Sequence, residues 1–156
     1  MVILGLDQAT KVTGWSVFEN RELIAYNKII VPDKYKAEKR MGLMTEEIRK
    51  IILRYEPDKV YFEQTFSKGS PRGFRTLCQL QGFIMWELWQ HKIPYAIIEE
   101  STWAKNISCC HGEREERKNS VLGKIEEMFN IKLGDSNDIS DAIAIGYYGA
   151  CKEKVD

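Results

Sequence analysis

Three β-prone runs crowd into the first 31 residues, at 2–6, 12–18 and 22–31, with breaks as short as Glu19-Asn20-Arg21 between them. Runs this close are joined by tight turns, so they pair antiparallel as a meander. Pro32-Asp33 closes it. From about Ala37 to Tyr55, apolar Met41, Met44, Ile48, Ile51 and Ile52 recur at three- and four-residue steps among charged residues, the period of an amphipathic helix. Glu56-Pro57-Asp58 ends that helix, and Lys59-Val60-Tyr61-Phe62 restarts as a strand that stops at Glu63. Leu77, Leu80, Ile84 and Leu88 predict a second helix from Gly73 to His91, with Gly82 leaving room for a close neighbour, and a strand from Tyr95 to Ile98 follows Pro94. The tail reads as helical: one helix capped by Ser101, a charged one over about 113–130 and a last one over about 137–148. Strands joined through helices run parallel. The order therefore implies an α/β fold, a five-stranded mixed sheet with helices on both faces.

The 156 residues, 44% of them apolar, suffice for one core, and a single domain over 1–156 is the expected organisation. The 23 basic and 23 acidic residues cancel, so a polyanionic partner would be met by a local basic patch and not by a global field. Cys78, Cys109, Cys110 and Cys151 follow no framework spacing and the N-terminus lacks the order of a signal peptide, which points to a reduced, cytoplasmic protein. Cys109-Cys110-His111 lacks the paired spacing of a zinc site and reads as a loop with free thiols. No apolar run approaches the roughly 20 residues of a membrane helix.

Two of the predicted strands end on an acid. Asp7 follows Ile3-Leu4-Gly5-Leu6, and Glu63 follows Val60-Tyr61-Phe62. Asp138 and Asp141, three apart at the start of an apolar helix, share one face of its first turn. A helix N-terminus favours each negative charge by only ~0.3 to 1 kcal/mol. That cannot offset the repulsion of four carboxylates in a partly buried cleft, so their convergence requires a cation. Oxygen donors select hard ions such as Mg²⁺ or Mn²⁺. Two of these about 3.5 to 4 Å apart clamp the attacking and leaving oxygens of an in-line phosphoryl displacement, which points to metal-assisted hydrolysis of a phosphodiester. Taken singly, Asp7 also fits a turn former, Glu63 an exposed strand terminus, and Asp138 and Asp141 first-turn acids behind a cap at Asp135 or Ser136. It is the set that points to a site.

The segments ILGLDQATKVTGWSV (3–17), VYFEQTF (60–66) and SNDISDAIAIGYYG (136–149) resemble, in order and spacing, the signature segments of RuvC-type Holliday-junction resolvases of the RNase H-like superfamily. The compact length and Trp-rich middle are most similar to bacteriophage members, including those of small Lactococcus phages. The resemblance implies a homodimeric endodeoxyribonuclease with two Mg²⁺ (or Mn²⁺) ions per active site and no small-molecule cofactor or membrane partner. Its substrate would be branched DNA, four-way junctions nicked near the branch point to leave 5′-phosphate and 3′-hydroxyl ends, with the sequence leaving open whether forks, flaps and D-loops are cut as well.

The family's metal-binding, catalytic acids fall on Asp7, Glu63, Asp138 and Asp141, its scissile-phosphate lysine on Lys118, a second site-proximal lysine on Lys105, and its crossover aromatic on Phe66. The loop SKGSPRGFR puts Lys68, Arg72 and Arg75 beside the site as a phosphate grip. The helix from Gly73 to His91 falls on the family's dimer interface, with Phe83, Trp86 and Trp89 on it. Many members carry Pro-Gly after the first acid, where this chain has Gln8-Ala9. A nucleotide-binding ATPase-like domain, which also opens on a strand, an acid and a turn, remains an alternative, although DQAT lacks the glycine of a phosphate loop. So do an RNA-processing nuclease of the YqgF type and a non-catalytic binding module.

Overall fold

A computed structural model describes residues 1–66, 70–108 and 114–153. Its elements are β1 (Val2–Asp7), β2 (Val12–Glu19), β3 (Glu22–Ile30), α1 (Ala37–Tyr55), β4 (Lys59–Glu63), α2 (Pro71–Gln90), β5 (Tyr95–Ile98), α3 (Glu100–Asn106), α4 (Arg114–Phe129) and α5 (Asn137–Lys152). The sheet runs β3-β2-β1-β4-β5, with β2 antiparallel to both its neighbours and β4 parallel to both of its own. Asn20 and Arg21, at φ 48° and 73°, make the tight β2–β3 turn whose twist matches that of the strands. Glu56, at φ 44° with its amide on the Ile52 carbonyl, ends α1 ahead of Pro57.

Alternation along the strands splits the interior into two cores. Ile3, Phe18 and Tyr61 pack with Trp103, Ile125 and Ile143 of α3, α4 and α5. Leu4, Leu6, Val17, Val60 and Phe62 pack with Met44 and Ile48 of α1 and Leu80 and Ile84 of α2. Both faces are covered, as the parallel part of such a sheet requires.

Helix α5 lies almost on the backbone of β1 and β2. A Cβ at Gly5 would stand 2.5 Å from the Gly146 nitrogen, and one at Gly14 only 1.8 Å from the Asp138 carbonyl oxygen. Ser16 Oγ donates to the Ala142 carbonyl at 2.7 Å. At the far end Glu153 accepts from Lys59 Nζ at 2.6 Å and from the Tyr61 hydroxyl of β4. The helix is thus pinned at both ends, with its first turn over the end of β1.

Several local expectations are corrected. α2 starts at Pro71, ahead of Gly73, because Ser70 Oγ accepts from the Gly73 amide at 3.0 Å and proline suits a first helical position. Glu99, not Ser101, is the N-cap of α3, and Ser101 lies within the helix. Ser136 holds the N-cap position of α5, but no cap bond comes from its side chain; its Oγ accepts instead from Lys28 Nζ at 3.1 Å. Among the described residues of this chain, nothing lies within 4 Å of a Cβ built at Gly82, so no element of the protomer makes the close approach expected there. Cys78 and Cys151 are free thiols, while Cys109-Cys110-His111 lies outside the described residues. No described helix is long and apolar enough to cross a membrane.

Candidate active site

Side chains alternate along a strand, so Asp7 continues the series Ile3, Gly5, and Glu63 follows Tyr61, onto the face that α5 covers. β1 and β4 are parallel with Leu6 opposite Phe62, which puts the two acids at the ends of neighbouring strands on one level. Asp7 pairs across β2 with Gly14, the residue on which the first turn of α5 rests. Missing side-chain volume at Gly14 therefore brings Asp138 to Asp7. Asp7, Glu63, Asp138 and Asp141 line one cleft of about 330 Å³.

The turn after Asp7 is held from within. Thr13 Oγ1 donates to the Ala9 carbonyl at 2.7 Å and accepts from the Ala9 amide at 3.1 Å. Gln8 is buried, and its Nε2 donates to the Glu63 carbonyl at 2.6 Å. Gln81 Nε2 donates to the same carbonyl at 3.1 Å. Gln8-Ala9 thus ties the ends of β1 and β4 together through a side chain.

The donor set suits a hard cation. Every side chain named for it offers carboxylate oxygen, and Gln8 Oε1, on a residue that lines the cleft beside Asp7, is buried with no hydrogen-bond partner among the described residues. A buried acceptor left so costs about 1 to 3 kcal/mol. Among the described residues no three His, Cys, Asp or Glu side chains are gathered into a group that could hold a metal as they stand. The fit is accordingly one of donor chemistry and location, not of a closed cage. A hard divalent cation suits such a cleft where it keeps several waters and takes only one or two carboxylates.

Of the other residues singled out from sequence, Phe66 lines the cleft and is 38% exposed. Arg72 lines an adjoining groove. Arg75 on α2 and Lys105 on α3 are exposed and are not among the residues lining the cleft. Lys118 belongs to α4, three residues before Val121, which does line it; its side chain, like all of Lys68, lies outside the described residues. Sequence reasoning missed Glu100, in the first turn of α3, which also lines the cleft. The signal was present: a third parallel strand, β5, pairs Ile98 with Glu63 and leads into Glu99-Glu100. It also missed Gly14, whose role depends on a helix distant in sequence.

The family model for crossover junction endodeoxyribonuclease RuvC matches residues 3–148. The chain belongs to the RuvC family. The crossover junction endodeoxyribonuclease RuvC of Ehrlichia chaffeensis is 27% identical to this RuvC-family chain over 157 residues, covering 99% of each. RuvC of Thermus thermophilus, solved in complex with Holliday junction substrate, superimposes with a TM-score of 0.81 at 16% identity over 96% of this chain and 92% of its own. A fowlpox virus resolvase, solved with substrate Holliday junction DNA, gives 0.63 at 20% identity over 98% of this chain and all of its own. The mixed-sheet RNase H-like fold and the family are those implied by the sequence, whereas the bacteriophage affinity rests on the sequence resemblance alone.

Proposed function

We propose that this RuvC-family chain is a divalent-metal-dependent, structure-selective endonuclease that resolves four-way DNA junctions by hydrolytic nicking near the branch point. The observation that carries this is the common cleft lined by acids from β1, β4 and α5, in a chain matched by the family model almost end to end. Asp7, Glu63, Asp138 and Asp141 would hold two Mg²⁺ or Mn²⁺ ions, which when bound supply Lewis-acid activation of the phosphodiester and a clamp on its attacking and leaving oxygens.

The chain's own part is positional. Strands with buried interiors and a pinned helix keep the carboxylates in place as DNA enters. The Glu63 carbonyl, tied by Gln8 and Gln81, keeps β4 from drifting away from β1. Phe66, exposed at the cleft, offers a ring for base stacking, which is worth roughly 1 to 3 kcal/mol and tolerates any sequence. Lys68, Arg72, Arg75 and Lys105 would hold flanking phosphates, and Lys118 the scissile one. Cutting two strands of a junction takes two sites, which a twofold homodimer supplies. Phe83, Trp86 and Trp89, 46%, 58% and 67% exposed on α2, support that helix as the interface. The cytoplasm is the setting that fits this work.

Labelled four-way junction, linear duplex, single strands and structured RNA, incubated with Mg²⁺, Mn²⁺ or chelator, test the reading. Cleavage of the junction alone, only with metal, is expected, and Asp7→Asn should lower its rate by more than the about 100-fold typical of losing an outer-sphere metal partner. Full activity of that variant, or turnover of the RNA with the junction left whole, would overturn it.

A further inference from the structure

A second groove opens beside the carboxylate cleft, and its charge is opposite. It encloses about 950 Å³ between the β1–β2 turn and the first turns of α1 and α2. Ala9, Phe66, Leu77 and Asp138 line both cavities, so the two are continuous past the Phe66 ring. Lys11, Lys36, Arg40 and Arg72 line the groove against Glu38 and Asp138.

This arrangement runs against helix electrostatics. A helix N-terminus carries partial positive charge and favours acids in its first turn. The first turn of α2 has none and contains Arg72, and α1 has only Glu38 there, with Lys36 at its N-cap and Arg40 one turn on. Two positive helix ends and four cationic side chains thus face one another across a single groove, and an anion between them would relieve the repulsion. Arg40 is already oriented: Nη1 donates to the Tyr35 carbonyl at 2.6 Å, while its Nε is buried with no partner among the described residues. Lys11 pairs with Asp33 at 2.7 Å, but the two side chains are 56% and 67% exposed. Such surface pairs contribute little, so a phosphate can displace Asp33.

We propose that this groove is a second DNA site, which binds the phosphodiester backbone of the strand as it leaves the cleft past Phe66. The proposal rests on the nuclease reading of the cleft and adds Lys11, Lys36 and Arg40 to the binding surface. It also divides the labour between the cavities. An acidic cleft repels backbone phosphates before its cations are bound, so affinity has to come from neighbouring cations that touch phosphates and not bases.

The test uses the double variant Lys11→Ala/Lys36→Ala, both side chains being exposed. Binding of labelled four-way junction is followed by fluorescence anisotropy in chelator between 50 and 200 mM salt, and cleavage by single turnover at saturating junction with Mg²⁺. Junction affinity should fall about 10-fold or more, and the slope of log K against log salt should become shallower by about two, one for each phosphate that is no longer neutralised. The saturated cleavage rate should stay within about twofold of wild type, since neither lysine lines the cleft, and Lys11→Arg/Lys36→Arg should restore the slope. Unchanged affinity and slope would overturn the proposal. So would a slower saturated rate at unchanged slope, or a loss confined to RNA of the same secondary structure. Binding is read without metal, so a wild-type protein that cuts nothing yet shows the slope change would refute the nuclease reading and leave the groove standing.

Discussion

At Gly14 the site depends on a side chain that is not there. A methyl group would stand 1.8 Å from the Asp138 carbonyl oxygen and 2.4 Å from its carbon, both backbone atoms that cannot rotate aside. Gly14→Ala must therefore lift the first turn of α5 off β2 by roughly 1.5 Å to regain ordinary contact, carrying Asp138 with it. Misplacement of about 1 Å costs on the order of 100-fold in rate. The expected outcome is a loss of that size in junction cleavage at a temperature where circular dichroism shows the variant folded; a rate within a few-fold of wild type would mean that the helix end can shift without disturbing the acids. Gln8 works in the opposite way, through a side chain that is present, by bonding the last carbonyl of β4. Its position was evident in the sequence as a departure after Asp7, but the partner, Glu63, comes from a strand whose neighbour is known only once the sheet order is known.

Among the elements, α1 and α2 share an apolar core and are also joined by one buried acid. Glu87 is 2% exposed, accepts from Arg49 Nε and Nη2 at 2.7 Å each, and stands 2.9 Å from His91 Nε2. The Arg49 guanidinium, helped by His91 and opposed by burial, holds the Glu87 carboxyl below its ordinary value of 4.5. A depressed pKa in the folded state means that this stabilisation is complete above the ordinary value and is lost as pH falls through the folded one. Glu87→Gln should cost about 1.5 to 3 kcal/mol at pH 7, the worth of hydrogen bonds to a charged group. Urea unfolding should also find a smaller drop in its stability than in wild type between pH 5 and pH 3. Equal pH dependence in the two proteins would remove Glu87 from the acid response. The helical period set by Leu80, Ile84 and Leu88 puts Glu87 on the packed face of α2, but that the acid is held there by Arg49 of α1 is decided only by how the two helices meet.

For the whole molecule, assembly turns on the outer face of α2. Trp86 and Trp89 stack on one another at 5.1 Å between ring centroids, and both are more than half exposed. Aromatic rings left to water in this way mark an association surface. Trp86→Glu/Trp89→Glu should shift sedimentation equilibrium from dimer to monomer with little change in melting temperature, because neither ring is buried in the protomer. A wild-type protein that is monomeric at micromolar concentration would exclude this interface. Paired cutting of a junction should fall with the dimer, while single nicks persist.

Sequence alone determined what is local: the strand and helix periods, the turns at Asn20-Arg21 and Glu56-Pro57, and acids placed where apolar runs end. Those signals lie within a few residues of one another, and backbone geometry reads them directly. Tertiary structure decided what is convergent. That Asp138 comes to rest on Gly14, that Glu100 joins the cleft, and that Lys11, Lys36, Arg40 and Arg72 share one groove depends on strand order and on which helix crosses which face. No periodicity encodes those contacts, because each joins segments that only the closed sheet and its two cores bring within reach.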